Sequence, residues 1–314
     1  MADPTPTPAP GLDAGLIWMD GELVPQERAT VSVLSHALHY GTSVFEGIRA
    51  YDTGSGAAVF RLQEHAERLL ASARIMGMPD LPSLETIREA VVATVRANER
   101  TACYVRPLLW HGPESLGINP RRTSVHFMVA TWPWGTYLGD DAIREGAKVM
   151  TSSWRRSPPD VLATKAKAGG NYVNSVLANM EARDHGYDEA ILLDHAGFVA
   201  EGSGENLFFV HDGVVHAIRH SVNLRGITRD SVMRIAEADG REVREAMATR
   251  DELYGAHEVF MVGSAAEVTP IAEIDRRTLG AGVAGPVTLD LRRAYLDVVE
   301  GRDARFESWL TRVD

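Results

Sequence analysis

The residues with the clearest capacity for chemistry lie in Lys165-Ala166-Lys167-Ala168-Gly169-Gly170-Asn171-Tyr172, where two amines stand beside a glycine pair and an aromatic hydroxyl. A partly buried lysine condenses with an aldehyde, and paired glycines let the backbone come close to a bound group. A pair of solvated surface amines is the plain alternative. Spacing alone does not choose between Lys165 and Lys167, since residues two apart share a face only in extended chain. Arg68 lies beside a helical stripe of Leu62, Ala66, Leu69, Leu70, Ala73 and Met76, where a guanidinium turns into a crevice or snorkels to water. Tyr104 and Arg106 alternate onto one face of a strand-like run, so a phenol and a guanidinium can meet one carboxylate. Glu201 and Glu205 bracket a flexible Gly202-Ser203-Gly204 segment. Two glycine-rich turns, Gly226-Ile227-Thr228-Arg229 with Thr228 as expected N-cap and Gly263-Ser264-Ala265-Ala266-Glu267, offer backbone N–H groups to a phosphate or carboxylate. His36 and His39 lie close before Tyr40 without a cysteine or carboxylate cluster, so structural or cofactor-adjacent roles are expected and no metal site.

These groups need a scaffold of alternating strands and helices. Asp20-Gly21 between two apolar runs predicts a hairpin. Residues 43–51 read as one strand, and Leu62 opens a helix stopped by Gly77 and Pro79. A second helix ends before Asn98. Strands follow at 103–110 and 124–131, the first with Pro107 leaving its amide side unpaired. Between them runs a loop with Leu116 and Ile118 exposed, which suggests contact with a second subunit. The bulky run Trp132-Pro133-Trp134-Gly135-Thr136-Tyr137 suits a pocket wall. Later come a helix from about 172 to 184, strands near 190–193 and 198–201, a hairpin at Asp212-Gly213, and helices after Gly226, Arg250 and Pro286. The expected organisation is a proline-rich disordered arm at 1–12, a smaller α+β domain at 13–137, a connection at 138–146 and a larger α+β domain at 147–314.

Composition sets the outer bounds. With 314 residues, 45% apolar, the chain is long enough for two cores. A formal charge of -11 argues against a nucleic-acid or anionic-membrane partner. The single cysteine, Cys103, leaves no intrachain disulfide and favours a cytoplasmic location. No apolar run approaches the roughly 18 residues of a spanning helix, and residues 1–10 lack a basic targeting pattern. Neither GxGxxG nor a Walker pattern is present, which weakens dinucleotide or triphosphate chemistry.

In their order, Ser35-His36-Ala37-Leu38-His39-Tyr40-Gly41, Ser43-Val44-Phe45-Glu46-Gly47, Lys167-Ala168-Gly169-Gly170-Asn171-Tyr172, Glu201-Gly202-Ser203-Gly204-Glu205-Asn206-Leu207, Gly226-Ile227-Thr228-Arg229 and Gly263-Ser264-Ala265-Ala266-Glu267 resemble the branched-chain amino acid aminotransferases of pyridoxal-phosphate-dependent fold type IV. The resemblance covers nearly all of the chain after the arm. It implies a two-domain α+β fold, D-amino acid aminotransferase-like, with pyridoxal 5'-phosphate at the domain interface. It further implies that Lys167, not Lys165, forms the Schiff base and moves the substrate α proton. Tyr172 then donates to the cofactor's phenolic oxygen, Glu201 faces its pyridine nitrogen, and Arg68, Ile227, Thr228 and Ser264 hold its phosphate. For the substrate it implies Tyr40, Phe45, Trp134 and Tyr137 around the side chain, and Tyr104, Arg106, Ser264 and Ala265 around carboxylate. Leu116 and Ile118 are implied to reach a partner subunit's site, giving a homodimer or a larger homo-oligomer.

The implied reaction is ping-pong transfer from L-leucine, L-isoleucine or L-valine to 2-oxoglutarate. Residues 217–225 depart from the family pattern, which often has a threonine and two prolines there, and Gly263-Ser264 replaces a common glycine-threonine pair. Transamination of D-amino acids or amines, an aminodeoxychorismate-type lyase and a noncatalytic binding protein are the alternatives.

Overall fold

Asp20 and Gly21 both adopt positive φ, 47° and 108°, which a two-residue hairpin turn requires. This computed structural model describes residues 13–135, 138, 140–219 and 222–313. The hairpin joins β1 (Leu16–Met19) to β2 (Glu22–Pro25) at one edge of an antiparallel sheet. The same sheet contains β3 (Ser43–Phe45), β4 (Ile48–Asp52), β5 (Ala57–Phe60), β6 (Cys103–His111) and β7 (Val125–Trp132). A distant strand, Leu310–Arg312, closes its other edge against β5.

The expected strand at 43–51 is two strands, broken at Glu46-Gly47. Both pair with β6, and the break falls opposite Pro107. The proline that cannot donate therefore sits where the neighbouring strand is interrupted, and Glu46 N–H donates to its carbonyl at 2.9 Å. On the other side Pro107 is in register with Val129 of β7.

The second sheet is mixed. It contains β8 (Ala147–Arg155), β9 (Glu189–Leu193), β10 (Val199–Gly202), β11 (Asn206–His211), β12 (Val214–Ile218), β13 (Val243–Ala246), β14 (Glu258–Gly263), β15 (Glu267–Ile274) and β16 (Arg277–Thr278). Their order is β10-β9-β8-β15-β14-β11-β12-β13, with β16 on β15. β8 runs parallel to β9 and β15, and β12 parallel to β13. The terminal strand of the first sheet is β17 (Leu310–Arg312).

Eight α-helices are described: α1 (His36–Tyr40), α2 (Leu62–Ile75), α3 (Leu84–Ala97), α4 (Asp140–Glu145), α5 (Tyr172–Asp184), α6 (Ile227–Ala238), α7 (Arg250–Tyr254) and α8 (Pro286–Val299). None is long and apolar enough to cross a membrane. α2 and α3 lay Leu69, Ile87 and Val91 on Ile48 and Val105 of the first sheet. The second sheet packs Phe208 and Phe260 against α6 and α8, with Tyr295 fully buried. Each such large apolar side chain contributes about 1.5–3 kcal/mol of burial.

The cores cross the expected boundary. Tyr51 and Phe60, from the first sheet, belong to the core around Phe208 and Tyr295. In return Ala166 and Ala168, the neighbours of Lys167, pack in the core of the first sheet. The expected connection at 138–146 carries α4, and the expected arm at 1–12 lies outside the described residues.

Candidate active site

Lys167 is held by the half of the chain to which it does not belong in sequence. Its backbone N–H donates to Ser72 Oγ of α2 at 3.0 Å, and its carbonyl accepts from Phe45 N–H at 3.0 Å. Ala168 bridges to Val44. The glycine pair serves this seam. A Cβ on Gly169 would overlap Ser43 Oγ, and one on Gly41 would lie 2.8 Å from Gly170 Cα. The expectation that these glycines admit a ligand is corrected: their bare backbones admit another stretch of backbone. Sequence could not show this, because close approach leaves the same signature whatever approaches.

Thus fixed, Lys167 projects into a cavity of about 330 Å³ between the two sheets. Its Nζ donates to Tyr172 Oη at 2.6 Å and lies 4.8 Å from the centre of the Phe45 ring. Lys165 takes another course, its Nζ donating to the Asn223 carbonyl at 2.7 Å, and burial pulls its pKa down. The geometry separates two amines that spacing left equal.

Opposite charges are arranged at two points of the wall. Glu201, at 6% exposure, comes from β10 with Oε1 2.7 Å from Arg156 Nε. Burial raises its pKa, and the Arg156 charge opposes that rise. Arg68 comes from α2, its Nε and Nη2 donating to the two oxygens of Glu46 at 2.7 and 2.8 Å. Glu46 is fully buried and also faces His65 Nδ1 at 2.7 Å. Burial alone would raise the Glu46 pKa; Arg68 and His65 overcome it and hold the carboxyl far below the usual range. Arg68 Nη1 donates to the Arg225 carbonyl at 2.7 Å, just before α6. The guanidinium is locked on three sides at the cavity wall, which is how a fork is preorganised for an anion.

The first turn of α6 supplies more donors. The N-cap is Gly226 and no side chain caps the helix, so the expectation of Thr228 as N-cap is corrected. Thr228 is already inside the helix, in its first turn. A Cβ at Gly226 would overlap Asn206 Oδ1, which excludes the usual capping side chains. Ile227, Thr228, Ser264 and Ala265 line the cavity together with Arg68. Free helical N–H groups, a locked guanidinium and a turn hydroxyl converge as a cradle for a phosphate. With an amine for an aldehyde, a phenol beside it and a buried carboxylate for a ring nitrogen, this donor set fits pyridoxal 5'-phosphate.

The substrate side is aromatic around one cation. Arg106 lies 4.6 Å from the Phe45 ring centre, 5.3 Å from Tyr104 and 5.7 Å from Trp132, and its Nη2 donates to Tyr104 Oη at 3.1 Å. The Trp134 ring lies tilted against Tyr104, centres 5.0 Å apart, and donates from Nε1 to the Ala265 carbonyl at 3.4 Å. Tyr40 does not join this wall. It is 47% exposed and donates to the Leu116 carbonyl at 3.0 Å, on a face with Leu116 and the 84% exposed Ile118. The implied place of Tyr40 around the substrate is not formed by the cavity of a single chain, whose lining does not include it; α1 carries it to the exposed loop. Tyr137 lies outside the described residues. His36 pairs with Thr42 Oγ1 and the Gly117 carbonyl, and His39 with the Val33 carbonyl, so both brace loops. Cys103 is buried, and burial pushes its thiol up to about 11, which leaves it unreactive.

Sequence reading passed over Glu46, Gly47 and Arg156. A charged residue between Phe45 and Gly47 in an apolar run was the available signal for Glu46. Nothing in the adjacent pair Arg155-Arg156 marked the second as the one turned inward.

Comparison with known proteins supplies the last observations. A family model described as class IV amino-transferase matches residues 43–274. The "Branched-chain-amino-acid aminotransferase" of Pseudomonas aeruginosa is 48% identical over 95% of this chain and 97% of its own. The crystal structure of a T.th. branched-chain amino acid aminotransferase with pyridoxamine 5'-phosphate is 59% identical, covers 96% of this chain and 99% of that one, and superposes with a TM-score of 0.94. The same enzyme complexed with N-(5'-phosphopyridoxyl)-L-glutamate gives 58% identity, the same coverage and a TM-score of 0.93.

Proposed function

Because the chain belongs to the class IV aminotransferase family, we propose that it transfers the amino group of L-leucine, L-isoleucine or L-valine to 2-oxoglutarate. The products are the branched-chain 2-oxo acid and L-glutamate. The observation that carries this reading is Lys167 Nζ against Tyr172 Oη in a cavity whose far wall sets one guanidinium among aromatic faces.

Pyridoxal 5'-phosphate would be held by Arg68, Ser264 and the Ile227-Thr228 turn, and would supply an aldehyde for the amino group and an electron-withdrawing ring. Lys167 is the catalytic residue: its freed amine takes the α proton and returns one, in the opposite sense for each half-reaction. Tyr172 keeps that amine aimed, and Glu201 places negative charge where a protonated ring needs it. Phe45 and Trp134 offer apolar surface to a branched side chain. Since one methylene is worth only about 0.8 kcal/mol, leucine, isoleucine and valine are weakly distinguished. Tyr104, Arg106 and the Ser264-Ala265 turn provide donors for carboxylate, so glutamate's distal group has a place in the same cavity. The relative carrying a glutamate adduct supports that dual use.

A homodimer is part of this reading, supported by the exposed face of Tyr40, Leu116 and Ile118 and by exposed Val173, Val176 and Met180 on α5. So is a cytoplasmic location, which the one free cysteine suits.

The test is an absorption titration of the purified holoenzyme. L-Leucine alone is expected to remove the long-wavelength cofactor band, and 2-oxoglutarate to restore it; Lys167→Ala is expected to show neither change. Conversion by D-alanine or a simple amine, with L-leucine inert, would replace this reading with the D-amino acid or amine alternative.

A further inference from the structure

Two arginines follow one another at the end of β8, and the backbone sends them in different directions. Arg155 reaches outward to the His195 carbonyl, at 3.3 Å. Arg156 turns into the cavity wall, where Nη1 donates to Asn174 Oδ1 at 3.2 Å and Ser175 Oγ at 3.0 Å, both on α5, and Nη2 donates to the Ser203 carbonyl at 3.2 Å. These contacts leave its Nε side against Glu201. The contact is charge on charge, since the N–H does not align as a hydrogen bond.

The two oxygens of Glu201 have unlike neighbours. Oε1 has Arg156; Oε2 accepts from Leu224 N–H at 3.2 Å and lies 3.5 Å from Asn206 Nδ2. Lys165 and Lys167 act on the carboxylate through space. Among the described residues Arg156 is the cation in ion-pair contact with it.

We propose that Arg156 is a positioning residue for a proton, keeping the one shared by Glu201 and the cofactor's ring nitrogen on the ring and Glu201 ionised. This rests on the reading of Glu201 given under the proposed function. A proton on Glu201 puts a neutral acid beside the guanidinium and ends the ion pair. A proton on the ring leaves carboxylate between two cations, the arrangement in which opposite charges alternate. Burial works the other way, favouring the uncharged acid and uncharged ring. Without Arg156 that tendency loses its nearest opponent, and the proton moves to Glu201. The ring then draws electrons less strongly, at the moment when negative charge develops on Cα.

The experiment loads the full-length enzyme with pyridoxal 5'-phosphate carrying nitrogen-15 in the ring and reads the ring-nitrogen resonance across neutral pH. The wild type is expected at the protonated position. Arg156→Gln is expected to move toward the unprotonated position, with kcat lowered about tenfold to hundredfold and KM for L-leucine little changed. Arg156→Lys, which keeps charge but not the fork, is expected to return the resonance toward the protonated position. A purely structural arginine would give the opposite ranking, with both variants destabilised and the resonance unmoved. Glu201→Gln separates the two levels of argument. If it leaves the wild-type resonance unchanged, Glu201 does not hold the ring nitrogen and the underlying reading fails. If it shifts the resonance while Arg156→Gln does not, the inference about Arg156 alone is overturned. Should Arg156→Gln fail to fold, Arg156→Lys decides: an unprotonated ring in a folded Arg156→Lys enzyme overturns the inference.

Discussion

Tyr104 owes the seat of its hydroxyl to the absence of a side chain at Gly47, where an added Cβ would overlap Tyr104 Oη. That hydroxyl accepts from Arg106 Nη2, so one glycine sets both groups proposed to receive carboxylate. Gly47→Ala is expected to reduce kcat/KM for L-glutamate about tenfold or more, close to the value of one good hydrogen bond, and to spare L-leucine by comparison. Parallel steady-state measurements with the two donors check this; equal losses would detach Tyr104 from carboxylate recognition. At this scale sequence was informative about residue types and weak about partners. Lys167, Tyr172, Arg68, Glu201 and Arg106 all stand at the cavity, since their local motifs persist as local geometry. Glu46 was invisible as the residue that aims Arg68, because the two meet only after the β3–β4 break folds onto α2.

The element that matters most is the turn-rich segment from Ala163 to the start of α5, which the first sheet grips at Ala168 through an isolated bridge. Val44 bridges Ala168, Phe45 caps the Lys167 carbonyl, and Gly41 meets Gly170 backbone to backbone. Gly41 also has φ of 67°, so Gly41→Ala meets both a steric and a conformational cost. The expected loss is about 1–3 kcal/mol of stability, read as a lowered midpoint in urea. Cofactor affinity should fall with it, since the displaced segment carries Lys167. A variant with unchanged midpoint and affinity would show that the seam is loose. Helices with a sustained apolar stripe were legible from sequence, as α2, α3 and α8 illustrate. The strands β13, β15 and β17 were not, since their register depends on partners far away in the chain and period two is short-lived in three to eight residues.

For the whole molecule, the division at 138–146 describes the connectivity better than the packing. Tyr51 and Phe60 cross into the second core and Ala166 and Ala168 into the first, so the halves are expected to unfold together. The exposed apolar face around Ile118 is the proposed subunit contact. Ile118→Asp is expected to shift sedimentation toward the monomer at micromolar concentration, with the fold intact by circular dichroism. An unchanged sedimentation coefficient would move the proposed subunit contact elsewhere.

The antiparallel pairing of Leu310 with Phe60 has a consequence for how such a molecule comes into being. Bringing these two together closes a very long loop, and long-range strand pairing is slow. Until that happens the edge of β5 presents unpaired backbone groups, a template for strands of other molecules. Folding yield should therefore depend on how long β5 waits for β17, which makes a three-residue strand remote from all the chemistry a guardian against aggregation.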